Sequence, residues 1–155
     1  VRCGDYAVTV NDNGTLDVTT LKGTCYKGVF GLEVEGNDGD EYDFSAVRGG
    51  RTIWSADVVS CEPTVVECKS TVGIDLNYAI EMPADISGWT DPTAPTVSLG
   101  VAMTISLDRN SDVIDVRVTL DNKANDYRVR LLVPTGLAKM KLSPTVKHLF
   151  NLLPL

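Results

Sequence analysis

Ten residues, Gly36-Asn37-Asp38-Gly39-Asp40-Glu41-Tyr42-Asp43-Phe44-Ser45, hold four acids, two glycines and two aromatic rings. Asp40, Glu41 and Asp43 carry hard oxygens of the kind calcium takes, but their spacing is not that of an EF-hand loop. Tyr42, with Trp54 and Trp89 elsewhere in the chain, offers flat faces for sugar C–H groups, and the adjacent acids can bond sugar hydroxyls. The plainer alternative is a solvated acidic loop, since charge runs usually face water. Glycine permits positive φ or a close approach, and Asn and Asp bond nearby backbone, so this stretch is expected to be a loop that presents polar oxygens and a tyrosine outward.

Other chemistries find few residues. His148 is the single histidine, so Ser-His-Asp and Cys-His nucleophilic machinery lacks its base. The cysteines, Cys3, Cys25, Cys61 and Cys68, form no C-x-x-C pair, which argues against a zinc site of paired ligands. Two disulfides remain open; small buried thiols in a reduced compartment are the favoured reading. No P-loop or strand-linked G-x-G-x-x-G occurs. The net charge of -7, from 21 acids and 14 bases, argues against nucleic acid or an anionic membrane as partner. No apolar run reaches the roughly 18 to 20 residues of a membrane helix, and no signal-peptide pattern opens the chain. A bacterial cytoplasmic location is the expectation.

The elements that must position the loop read as strands. Tyr6-Ala7-Val8-Thr9-Val10 and Thr15-Leu16-Asp17-Val18-Thr19 alternate about the hairpin turn Asn11-Asp12-Asn13-Gly14. Lys22-Gly23-Thr24 is a turn, and residues 29–35 form a strand leading into the loop. Arg48-Gly49-Gly50-Arg51 turns the chain again. Residues 56–62 and 64–70 read as short strands split at Pro63. Residues 72–82 and 96–107 are long alternating strands, joined by the proline-rich connection 83–95. Residues 113–120 and 127–133 complete the set, closed by Pro134-Thr135-Gly136. No segment before residue 136 has helical periodicity, and short connections favour antiparallel pairing. With 155 residues, the expectation is one all-β domain, an antiparallel β-sandwich of about ten strands in two packed sheets.

The hairpin Val8-Thr9-Val10-Asn11-Asp12-Asn13-Gly14-Thr15-Leu16-Asp17-Val18-Thr19, then Tyr26-Lys27-Gly28, then residues 35–45, resembles the start of the β-domain of bacterial glycoside hydrolase family 38, the α-mannosidases and mannosylglycerate hydrolases. Asp121-Asn122-Lys123-Ala124-Asn125-Asp126-Tyr127-Arg128-Val129-Arg130-Leu131-Leu132-Val133-Pro134-Thr135-Gly136 is similar to the family's asparagine turn, paired-arginine strand and Pro-Thr-Gly end. The resemblance covers roughly residues 5 to 137. It implies a fragment of a galactose-mutarotase-like supersandwich within a larger retaining α-mannosidase. In such a parent, a catalytic barrel holds the nucleophile and a zinc ion, and a helical domain follows it. No residue here matches those motifs, so no catalytic or metal-ligating role is carried over and no cofactor is expected in this chain. By motif position Tyr42 would reach a mannose hydroxyl, with Asp40 and Glu41 shaping the loop.

The resemblance sets the domain at residues 1–137 and leaves 138–155 as a non-family tail. Codons suited to Lys139 through Lys147, read two bases out of register, can spell Asp-Glu-Ala-Leu-Ala-Asp-Ser-Gln, a family-type segment. A frameshift or cloning junction is therefore expected there. In the tail, Val146, Leu149, Phe150, Leu152 and Leu153 would form a short helix that covers apolar surface or joins chains.

Three functions compete. The resemblance implies an accessory domain, inactive alone, whose partners are the parent's barrel and helical domain and a mannoside substrate. A free-standing carbohydrate-binding module would use Tyr42, Trp54 or Trp89. A structural interaction domain would expose an apolar face and form homo-oligomers through it.

Overall fold

The computed structural model describes residues 1–40 and 42–136. In chain order the elements are β1 (Arg2–Cys3), β2 (Tyr6–Val10), β3 (Leu16–Thr20), β4 (Cys25–Val29), β5 (Gly31–Gly36) and β6 (Thr52–Trp54). There follow a short helix α1 (Ser55–Val58), β7 (Thr64–Glu67), β8 (Thr71–Pro83), a 3-10 turn (Ile86–Trp89), β9 (Thr96–Asp108), β10 (Ile114–Asp121) and β11 (Tyr127–Leu132). All paired strands are antiparallel. The molecule is an all-β antiparallel sandwich.

One layer is organised by its longest strands. In β8 the even-numbered positions Val72, Ile74, Leu76, Ile80 and Met82 are buried, while most odd-numbered ones face outward. This is the period of two that the pleat imposes on a half-buried strand. β9 pairs with β8 over its whole length, from Thr71↔Asp108 to Pro83↔Thr96, and the sheet order is β10-β9-β8-β7. Thirteen residues at about 3.3 Å each span about 43 Å, more than twice the reach of a five-residue strand.

Two shorter sheets lie side by side to cover that length, β1-β2-β3-β4 and β11-β5-β6. Val8, Leu16, Val18 and Val29 pack on Ile74, Leu76, Met103 and Ile105. Leu32, Val34 and Ile53 pack on Ile80, Met82, Leu99 and Val101. The two layers of the sequence reading hold, but one layer consists of two sheets. The break is at Phe30, which takes φ 66 and donates its N–H to the Leu132 carbonyl at 2.8 Å. A bulky residue in that region is a rare conformation, and it divides the expected strand 29–35 into the end of β4 and the start of β5.

The expected strand over residues 56–62 is also corrected. Ser55 opens one helical turn, and Val59 N–H returns to the Ser55 carbonyl at 2.9 Å. Cys61 N–H goes to the Asp12 carbonyl at 2.9 Å, so this backbone is satisfied by a turn and by the β2–β3 hairpin rather than by a ladder. The segment crosses from one layer to the other, which an extended strand in a single sheet cannot do. The Ser55 hydroxyl accepts the Leu32 N–H at 2.8 Å and ties the crossing to β5. Beside it, burial pushes the Tyr78 phenol up to about 12, with the Ser55 hydroxyl opposing the rise.

Asn11-Asp12-Asn13-Gly14 forms the expected hairpin turn, with Gly14 at φ 77. Trp89, from the long connection, is 1% exposed and fills the second half of the core. The cysteines are all free thiols; Cys3 is buried, Cys61 half-buried, and Cys25 and Cys68 exposed, so burial holds for only part of the set. The tail 138–155, with its expected helix, lies outside the described residues.

Candidate functional site

The acidic stretch is a loop at the end of β5, closed by a single bridge between Asn37 and Ala46. Its own polar side chains hold it. Asn37 Oδ1 accepts the N–H groups of Gly39 and Ser45, each at 3.0 Å. Asp38 N–H reaches the Ser45 carbonyl at 2.7 Å. Asp40 Oδ1 accepts Tyr42 N–H at 2.8 Å and Asp43 N–H at 2.9 Å. Those two backbone donors, Tyr42 first, hold the Asp40 carboxyl below the usual carboxylate range, because they favour its charged form. Gly39 is required here, since a Cβ on it would stand 1.9 Å from the Asp43 carbonyl oxygen.

The loop is anchored at both ends. Asn37 N–H donates to the Asp126 carbonyl at 2.8 Å. At the base, a Cβ on Gly36 would lie 2.5 Å from Trp89 Cγ, so only glycine lets β5 approach that ring. Phe44 lies beneath the Arg128 guanidinium, whose carbon is 3.2 Å from the ring centre, a cation–π contact. The turn thus presents Tyr42 as its tip, 84% exposed. Glu41 lies outside the described residues.

Next to the loop, the outer face of β11-β5-β6 carries a charge ladder. Arg130 is directly opposite Glu33, and Arg128 opposite Glu35. Arg130 Nε donates to Glu33 Oε1 at 2.7 Å, and its Nη2 donates to the same oxygen. Arg128 Nη2 donates to Glu35 Oε2. Arg130 Nη2 also reaches Glu35 Oε1 at 3.4 Å, linking the two pairs. Glu33 is 3% exposed although it lies on the outer face. Trp54 is its neighbour on β6 and is 41% exposed. The hydrogen bond to Glu33 raises the Arg130 pKa. A row therefore runs from Trp54 through the ladder to Phe44 and the loop.

The ladder was not expected from sequence. Its signal was present as acids at 33 and 35 and bases at 128 and 130, two residues apart on each strand and so on one face. Which two strands pair is what the sequence alone does not supply. Of the three aromatic platforms expected, Tyr42 and Trp54 are exposed, whereas Trp89 is buried and is no platform.

Neither recess found among the described residues encloses a sugar. A recess of ≈ 30 Å³ at the loop base, lined by Glu35, Gly36, Ala46, Val47, Gly50, Arg51 and Thr52, has room for about one water. A shallow depression of ≈ 280 Å³ on the outer face of the long sheet is floored by small side chains such as Ala102 and Thr119. No three His, Cys, Asp or Glu side chains among the described residues come together as metal ligands. No helix among them is long and apolar enough to cross a membrane.

No protein-family model matches the chain, and no curated protein matches it. Solved structures do. One is an α-mannosidase from Enterococcus faecalis V583, at 18% identity and TM-score 0.79, covering 90% of this chain and 18% of that one. Another is a protein in the glycosyl hydrolase family 38 from Enterococcus faecalis, at 18% identity and TM-score 0.81, covering 90% of this chain and 19% of that one. At such identity the likeness is one of fold, and it takes in nine-tenths of this chain. The chain has the fold of a β-sandwich segment that makes up less than a fifth of each of these two larger proteins.

Proposed function

We propose that this chain is an accessory β-sandwich domain of a family 38 retaining α-mannosidase, which supports the catalytic barrel and contributes the 37–46 loop to the sugar pocket. The reading rests first on the fold likeness, in which nearly all of this chain matches a small part of an α-mannosidase. A second support is the loop itself: it holds Tyr42 out, 84% exposed, on a hydrogen-bonded turn, and the recess at its base is only ≈ 30 Å³. A side chain so placed is suited to complete a pocket whose other walls come from elsewhere. In the whole enzyme the reaction would be double displacement through a covalent mannosyl-enzyme intermediate, carried by carboxylates outside this chain. Tyr42 would bond a mannose hydroxyl, and Asp40, through its two backbone contacts, would hold Tyr42 in place.

A direct test uses the longer enzyme that contains this segment. Tyr42→Phe removes one hydroxyl hydrogen bond, about 0.5–1.5 kcal/mol net, so kcat/KM for an aryl α-mannoside should fall roughly 2- to 10-fold. Unchanged kinetics would refute the contact. The isolated 155-residue chain should be inactive on the same substrate. Hydrolysis by it, abolished in Tyr42→Phe, would overturn the accessory reading. The carbohydrate-binding-module alternative is favoured by the exposure of both Tyr42 and Trp54. Calorimetry with mannose oligomers separates the two: millimolar or tighter binding by the isolated chain supports the module, and silence supports the accessory role.

A further inference from the structure

The edges of the three sheets are unequal. β1, β6 and β7 are two, three and four residues long, and Pro63 precedes β7. β4 is interrupted by Gly28 at φ 63. Short strands and prolines are the usual means of blunting an edge. β10 has eight residues, no proline, no glycine and an unbroken register with β9. Among the described residues nothing pairs with its other side. Its inward row, Ile114, Val116, Val118 and Leu120, packs against the core yet is only half-buried. Its outward row carries Asp115, Arg117, Thr119 and Asp121, with Asp121 also meeting Lys123 of the same chain at 2.6 Å.

That pattern is self-complementary. When two copies of β10 pair antiparallel about a two-fold axis at Thr119, Arg117 of each copy stands opposite Asp121 of the other. Val118 stands opposite Leu120, and beyond the strand Asp115 faces Lys123. Opposite charges directly across a ladder stabilise it, and like charges destabilise it. Moving the axis by one residue sets Asp115 against Asp121 or Leu120 against itself with Arg117 against Lys123. On β11 an axis at Val129 sets Arg128 against Arg130, and one at Arg128 or Arg130 sets that arginine against itself. We propose that a second copy of this chain is the partner of the β10 edge, so that two four-stranded sheets join into one of eight strands and the two half-buried apolar rows abut. The interface is isologous and small, and so gives a weak dimer. The net charge of -7 opposes it at low salt, and about 0.15 M salt screens that repulsion beyond roughly 8 Å.

The inference stands apart from the sugar-pocket reading, because β10 and the 37–46 loop lie in different sheets. The test is sedimentation velocity of the full chain over a concentration series at 0.15 M salt. A concentration-dependent dimer is expected. Arg117→Asp, which places Asp opposite Asp121 twice per dimer, should weaken it on the order of tenfold. The swap Arg117→Asp with Asp121→Arg should restore it, with far-UV circular dichroism confirming that each variant folds. Amide exchange in the unmodified chain gives a second readout: alternate N–H groups between residues 114 and 121 should gain protection as concentration rises. A chain that stays monomeric at its solubility limit overturns the proposal. So does a dimer indifferent to Arg117→Asp, which would form through another surface, or one the swap leaves weakened. β10 amides unprotected in the dimer would do the same.

Discussion

Arg130→Ala tests whether the charge ladder is a surface ornament or part of the fold. Exposed ion pairs contribute about 0–1 kcal/mol. Breaking a buried pair by removing one partner costs about 3–5 kcal/mol, because a charge is left without compensation. This pair is lopsided: the Glu33 side chain is 4% exposed and that of Arg130 is 48% exposed. Removing the arginine leaves the inaccessible partner charged and takes away both of its donors, Nε and Nη2. Partial hydration through the space vacated by the guanidinium discounts the buried figure, and about 2–3 kcal/mol remains. In urea, with a slope of about 2 kcal/mol/M, the unfolding midpoint should fall by about 1–1.5 M. Glu33→Gln should cost less, since it leaves a half-exposed guanidinium that water can reach. The sign that decides the matter is the combination. Adding Glu33→Gln to Arg130→Ala should recover stability, because it removes the stranded charge. A loss below about 0.5 kcal/mol for Arg130→Ala, or a double variant no more stable than Arg130→Ala, would refute this reasoning.

Two further perturbations probe the core around the loop and the seam between the halves. Gly36→Ala would place a Cβ 2.5 Å from Trp89 Cγ and 2.7 Å from Val47 Cγ2. Overpacking of this kind costs about 1–3 kcal/mol, so the urea midpoint and the near-UV signal of Trp89 should both change; a variant within about 0.5 kcal/mol of the parent would show that the ring yields freely. Tyr78, whose phenol is pushed up to about 12 by burial, makes stability depend on alkaline pH. An acid whose folded pKa lies above its unfolded value binds more protons when folded, so its contribution is complete below about pH 10 and is lost as pH rises toward 12. About 2–3 kcal/mol is at stake. Tyr78→Phe should flatten the decline between those pH values, and an unchanged decline would assign it to other groups.

Much of the sandwich was legible because period-two burial is a local signal. Residues 72–82 and 96–107 alternate so regularly that their length and faces followed from sequence, as did the Asn11–Gly14 hairpin turn. The failures are places where a distant contact overrides local preference. Val58 and Val59 are good strand residues, but a crossing between layers makes one a helical residue and buries the other at the seam. Phe30 carries no mark of positive φ; its conformation follows from where β5 must go, and its N–H is satisfied by Leu132, more than a hundred residues along the chain. Trp89 looked like a loop aromatic because its neighbours are Pro, Gly and Ser, yet Gly36 makes the slot that receives it. The loop was legible as a loop, and its tyrosine as exposed. Its internal bonding was not, because that depends on Asn37 and Asp40 turning their oxygens back on the backbone.

That bonding bears on what the loop is suited to do. Ordering a residue costs about 1–2 kcal/mol, and a mobile ten-residue loop would incur much of that cost whenever it closed on a ligand. Here the cost is met within the domain, by the Asn37 and Asp40 hydrogen bonds, the Gly36–Trp89 contact and the Arg128–Phe44 stack. Arg128 belongs at the same time to the ladder on β5 and β11, so the loop's position and the sheet's stability are coupled through one side chain. Arg128→Lys keeps a charge for Glu35 but loses the planar face that lies on Phe44. The consequence separates the two roles of the residue: the sandwich should keep most of its stability while the Tyr42 tip loosens, which is the change that would matter to a pocket and not to a scaffold.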